Sequence, residues 1–225
     1  MLLRSRTSFK GARRAGSISF LSEANDTTSR TVYTFNVGFG DAAQNRYIIV
    51  GAVVRKSGTS GTINTVSIGG VAADIVAIQT NTRASNNFTL VFAAANVPSG
   101  ASGDVVVTAS TEYRRCGIGV WRATGIAATP ADTVSTGTEN DLTLSGDVTL
   151  AGAGFAVAAG AIAGSTTATW SGAGEDYDVN FQAFTSHSGA HQPFAAAVTD
   201  HNIQVTFSSS VSVTLMVAAA WEYAS

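Results

Sequence analysis

From Arg30 onward, apolar runs of strand length recur at short spacing, and turn signals separate them. Tyr47-Ile48-Ile49-Val50-Gly51-Ala52-Val53-Val54 is one such run, and Thr62–Ile68 alternates in polarity before the turn dipeptide Gly69-Gly70. Val71–Ile78 follows at once, so these two runs predict a hairpin. Further predicted strands are Phe88–Ala93, Asp104–Ala109, Gly117–Ala123, Leu142–Leu150, Phe155–Ile162, Thr166–Trp170, Phe194–Thr199, Ile203–Phe207 and Val211–Trp221. Pro98-Ser99-Gly100, Ser102-Gly103, Ser171-Gly172, Ser188-Gly189 and Asp200-His201-Asn202 read as the turns between them. Strands repeating about every 8–12 residues predict an all-β fold, a β-sandwich or barrel, and the many small alanines and glycines favour a single antiparallel sandwich of two closely packed sheets over a wide barrel. Residues 30–225 are assigned to this domain, and residues 1–29 to an extended N-terminal arm. No internal repeat is evident in the sequence; the loop-like stretch Gly125–Thr138, with Pro130, is the one fallback boundary.

Composition supports this class. Hydrophobic residues make up 45% of the 225-residue chain and charged residues only 12%, with 23 glycines and about fifty serines and threonines. That hydrophobicity is too high for disorder, and poor helix formers dominate. A net charge of −2 does not suit nucleic-acid binding. The longest weakly polar stretch, Leu150–Gly164, is too short and too broken by glycine to span a membrane. Met1–Arg6 lacks the apolar run of a secretory signal. The one cysteine, Cys116, excludes an intrachain disulfide and reads as a buried thiol. A soluble protein assembled in a reducing compartment is expected.

Charge is unevenly placed. All 13 lysines and arginines lie at or before Arg122, whereas nine of the 15 acids follow it. Residues 1–22 carry Arg4, Arg6, Lys10, Arg13 and Arg14 with no acid, a segment that orders only against a partner or frays as a terminus. Those five bases, with Phe9 and Phe20, are the candidate partner-docking residues.

No catalytic signature is present. Gly58-Thr59-Ser60-Gly61-Thr62 is not a nucleophile elbow, and Gly38-Phe39-Gly40 opens no phosphate-binding helix. His187, His191 and His201 lie near Glu175, Asp176 and Asp178, but neither a zincin nor a calcium-loop spacing appears. The histidines therefore read as solvated loop residues. No metal and no cofactor is expected. Tyr113-Arg114-Arg115 fits a surface contact patch or a solvated strand end. Trp121 and Trp221 read as core, and Trp170 as lying near a loop.

The succession RYIIVGAVVRKSG, TINTVSIGGVAADIV, FAAANVPSGASGDVVVTAS, GIGVWRATG and VTLMVAAAWEY resembles structural proteins of tailed bacteriophages. The resemblance covers roughly residues 30–225 and implies a jelly-roll-like module of tail fibres, tail spikes or heads. It implies no catalytic residue. The expected function is that of a non-enzymatic virion component, on a tail fibre or as capsid decoration. The arm would hold it to other virion proteins, and it would form a homo-oligomer in the virion after assembly in the bacterial cytoplasm. Neither nucleic acid nor membrane insertion enters this reading. The alternatives are a carbohydrate-binding module contacting host glycan through Trp170, Tyr177, His187 and His191, and a polysaccharide depolymerase.

Overall fold

The computed structural model describes residues 16–58, 60–83, 86–139, 141–181, 185–209 and 213–224, with the side chain of Arg83 excepted. Among these residues the regular elements are all strands, so no helix is long and apolar enough to cross a membrane. The first eight strands are β1 (Ser17–Asp26), β2 (Arg30–Gly38), β3 (Arg46–Ser57), β4 (Ile63–Ile68), β5 (Val71–Arg83), β6 (Asn86–Asn96), β7 (Ser102–Tyr113) and β8 (Arg115–Thr124). They hydrogen-bond in the order β1-β8-β3-β6-β5-β4-β7-β2, every pair antiparallel. Strand β5 belongs to both halves of this sheet, which folds over on itself.

The next eight are β9 (Asp132–Thr138), β10 (Thr143–Leu150), β11 (Gly154–Ile162), β12 (Ala168–Ser171), β13 (Gly174–Asn180), β14 (Ser186–Phe194), β15 (Val198–Phe207) and β16 (Thr214–Glu222). Their sheets run β13-β14-β11-β16-β9 and β10-β15-β12. Adding eight to each strand number of the first set reproduces these orders. Strands one, eight, three and six share one sheet and two, seven and four lie in the other, the double Greek key of a jelly roll.

Antiparallel sandwich packing is present as expected, but the single sandwich assigned to residues 30–225 is instead two in tandem. The stretch 125–138 held in reserve as a boundary begins directly after the last strand of the first roll and contains the opening strand of the second. The same pair of strands carries an Asn–Asp bond in each roll, with donor and acceptor exchanged between the two strands. Asn36 on β2 donates its amide to Asp104 on β7 at 2.9 Å, and Asn202 on β15 donates to Asp147 on β10 at 2.7 Å. Strands β10 and β15 are the counterparts of β2 and β7.

The two rolls stack into four layers. One core lies inside the first roll, built on Tyr33, Phe35, Val50, Val107, Ile118 and their neighbours. Two smaller ones lie inside the second, around Val148 and Ile203 and around Leu144 and Phe207. A fourth fills the space between the rolls, with Ile49, Leu90, Phe92 and Trp121 on one side and Phe155, Val157, Leu215 and Trp221 on the other. Strands β3, β6, β8, β11 and β16 are thus covered on both faces. This is why they read as continuous apolar runs rather than alternating ones. Across the middle layer β1 meets β13, β8 meets β14, β3 meets β11, β6 meets β16 and β5 meets β9. That pairing is symmetric under exchange of the rolls, as in a two-fold dimer whose subunits share one chain.

Three expectations are corrected. Residues 17–26, assigned to the arm, form β1 and pair with β8 along its length, so the sheet begins at Ser17. Ser188-Gly189, read as a turn, lies inside the buried strand β14, and Asp200-His201-Asn202 lies inside β15. The glycine at 189 serves a close approach: a Cβ there would sit 2.8 Å from the Trp121 ring and closer still to Tyr177. Where Gly69-Gly70 was read as a turn, both residues do have positive φ, 59° and 79°, and β4 pairs with β5 across them.

Candidate functional site

The densest group of polar and titratable side chains lies where β1 and β8 of the first roll meet β13 and β14 of the second. Tyr177 is held between two glycines, because a Cβ at Gly119 or at Gly189 would overlap its ring. Phe20 stacks on it at 5.3 Å, and Trp121 lies tilted at 5.9 Å. The Tyr177 hydroxyl and His187 Nε2 share a hydrogen bond of 2.8 Å. Beside them the Trp121 indole N–H donates to Asp176 Oδ2 at 2.6 Å, and His191 Nδ1 lies 2.7 Å from Asp176 Oδ1. Asp176 thus ties a tryptophan of one roll to a histidine of the other.

Burial sets the protonation of this group. His187 is fully enclosed, which pushes its pKa down to about 3 and keeps the imidazole neutral. Burial first, and then nearby Asp176, Glu23 and Asp178, hold Tyr177 well above its ordinary range. Desolvation also raises Asp178, whose Oδ2 accepts the Ala168 N–H, and Glu175.

The His187 shift has a definite sign. The unfolded chain takes up a proton near pH 6.5 and the folded one only near 3, so stability falls as pH drops through that interval. From pH 7.5 to 5 the loss from this residue is about 2 kcal/mol, or roughly 4–8 °C in melting temperature. Asp178 and Glu175 act in the opposite sense, because protonation relieves their desolvation. Melting curves of wild type and His187→Gln across this range test the assignment. The variant is expected to lose most of the slope between pH 7.5 and 5, and an unchanged slope would place its origin elsewhere.

The Asp176–His191 pair has the geometry that orients an imidazole for base catalysis, but among the described residues no nucleophile is poised on it. Ser188, on the same strand, donates to the Tyr177 carbonyl at 2.8 Å and accepts the Trp170 indole N–H at 2.8 Å. The adjoining crevice, bordered by Glu23, Gly117, Phe181 and His187, is too narrow to admit water. Among the described residues, no three of His, Cys, Asp and Glu converge as metal ligands. The arrangement is a strut across the joint between the rolls.

The residues first advanced for glycan contact are disposed otherwise. Tyr177 and His187 are buried, Trp170 is half-buried and packs inward on the cores of the second roll, and His191 is engaged by Asp176. The histidines are therefore strand residues with partners, not solvated loop residues; His201 bonds the Gly172 carbonyl at 2.7 Å. Of the docking residues, Phe20 belongs to β1 and to the aromatic group above. Arg4, Arg6, Phe9, Lys10, Arg13 and Arg14 lie outside the described residues. Cys116 is buried in the first core, as expected.

Sequence reasoning missed Asp176 as a link between the rolls, because nothing local tells a carboxylate on a strand that an indole from 55 residues away will reach it. It also missed Arg46, which is fully buried at the start of β3. Its Nε donates to the Val97 carbonyl at 2.7 Å, Nη1 to Phe39 and Gly40, and Nη2 to Ser99 and Gly100. All five N–H donors are satisfied by backbone, and two loops at one end of the first roll are pinned together.

Compared with known proteins, the chain matches no family model and no curated sequence.

Proposed function

We propose that this protein is a non-enzymatic structural component of a tailed-phage virion, a surface module joined to neighbouring virion proteins through residues 1–15. The observation that carries this reading is how charge divides over the folded units. The second roll, residues 132–222, holds nine acids and not one lysine or arginine. The first, residues 17–124, holds eight bases and six acids, and the segment before it holds five bases and no acid. A base-free roll beside a base-rich segment favours ordered contacts between like molecules or with acidic neighbours. The double jelly roll supports the same reading, since such rolls build shells and surface modules as well as lectins. Tail fibre and capsid decoration are both placements of this kind.

Deleting residues 1–15 tests it. Because β1 begins at Ser17, the truncated protein is expected to melt within about 2 °C of the full chain. It is also expected to fail to incorporate into particles, in a complementation assay scored by particle composition. Replacing Arg4, Arg6, Arg13 and Arg14 by Ser should weaken incorporation in a salt-sensitive way, the difference from wild type narrowing as salt rises. Truncated protein that incorporates at wild-type occupancy would rule out the segment as the anchor.

A further inference from the structure

A second arginine cluster lies at the far end of the β3–β8 ladder, and it differs from Arg46 in one decisive respect. Arg55 and Arg115 are direct cross-strand partners, and the Arg114 N–H donates to the Arg55 carbonyl at 2.9 Å. Residues directly opposite on neighbouring strands share a face, and like charges placed so repel. Both side chains turn toward the second roll. Arg115 Nη1 lies 3.4 Å from the Phe181 carbonyl, and Arg55 Nη1 lies 3.4 Å from Thr185 Oγ1. Arg55 Nη2 donates to Asn86 Oδ1 at 2.7 Å, and its guanidinium covers the Phe88 ring.

Arg115 is only 7% exposed, yet among the described residues its Nε is buried with no hydrogen-bond partner, and its one side-chain bond is long. Neither Arg114 nor Arg115 pairs with a carboxylate among the described residues. Burial, and then the neighbouring Arg115 and Arg114 guanidinium groups, lower the pKa of Arg55 to about 10, and burial and then Arg114 lower that of Arg115. Buried charge is ordinarily compensated, and Arg46 shows how this chain does so with its own carbonyls. At Arg115 the compensation is missing among the described residues.

We propose that Arg55, Arg114 and Arg115, with Thr185 as a hydroxyl donor, form a binding site for a compact tetrahedral oxyanion such as phosphate, at the joint between the two rolls. Such an ion accepts several N–H donors at once, matches the planar fork of arginine and neutralises the repulsion along the ladder. With Arg115 only 7% exposed, its unpaired Nε is within reach of a small ion rather than of the flank of another protein.

The test uses the full chain, with inorganic phosphate followed by isothermal calorimetry and by melting against sodium chloride of equal ionic strength. Wild type is expected to bind phosphate saturably and to melt higher in it than in chloride, with sulfate acting in the same way. Arg115→Met, which keeps the apolar stem, is expected to lower phosphate affinity at least tenfold. Without phosphate it should melt no lower than wild type, because a repelled cation has been removed. Glycerol phosphate, tested alongside, separates a site open to a terminal phosphoryl group from one that takes only the free ion. If Arg115→Met does not fold, Arg114→Gln, at an exposed position, takes its place and is expected to weaken binding severalfold. Phosphate acting no differently from chloride would overturn the proposal. So would wild-type affinity in Arg115→Met, since the binding would then lie at other bases such as those of residues 1–15.

Discussion

Arg46→Met is expected to lower stability by about 3–5 kcal/mol, a large share of the roughly 5–15 kcal/mol that holds a typical domain folded. Methionine fills most of the volume but leaves the carbonyls of Phe39, Gly40, Val97, Ser99 and Gly100 without the donor that gathers them. Hydrogen bonds from a charged donor contribute more than neutral ones, and water can reach only part of this group. Arg46→Lys should recover little, since an ammonium offers three donors from one point where the loops are spaced for a fork. The measurement is the urea midpoint at unchanged m-value. A loss below about 1 kcal/mol would show that the loops hold their positions without the guanidinium.

Ile49→Asp is expected to abolish the cooperative fold. Ile49 is fully buried between the rolls and lies in register with Ala94 on β6 and Trp121 on β8. A carboxylate at this position would face the apolar layer formed with Val157, Leu215 and their neighbours, with no base available from the second roll. Its cost is several kcal/mol, against about 0.5–1.5 kcal/mol for Ile49→Val. Because the middle layer belongs to both rolls, wild type should unfold in one transition. The aspartate variant should lose both rolls together, and calorimetry of the two proteins reads this directly. A variant that retains one roll and melts in a separate step would show that the rolls are independently stable.

The strands most legible in the sequence were those covered on both sides. Tyr47–Val54, Phe88–Ala93, Gly117–Ala123 and Phe155–Ile162 are continuous apolar runs, and each falls inside a strand flanked by others. The hairpin at Gly69-Gly70 was legible for a local reason, since two successive residues with positive φ favour glycine. Strand β13, GEDYDVN, carried too much charge to be recognised, and β14, SHSGAHQPF, looked like a loop. Their polar residues are accommodated by partners distant in sequence: Asp176 by Trp121, His187 by Tyr177, and Ser188 by Trp170. Of the candidate glycan residues, sequence supplied the residue types but not their direction, because a one-residue change of strand phase turns every side chain to the other face.

The amino-acid sequence by itself determined the class of the protein. Its β-branched and small residues, its turn dipeptides and its low charge leave an antiparallel sandwich as the natural outcome, and these are properties of single residues and near neighbours. The tertiary structure alone decided that the sandwich is doubled. RYIIVGAVV in β3 and GFAVAAGAI in β11 hold equivalent places with little identity, since either meets the same need for small apolar side chains between two layers. Which strand pairs with which, which faces meet between the rolls, and that Arg114 and Arg115 have no carboxylate partner among the described residues are set by contacts between residues far apart in the chain. No local pattern encodes them, because the same alternation of polar and apolar residues serves many pairings, and only packing the whole chain selects one.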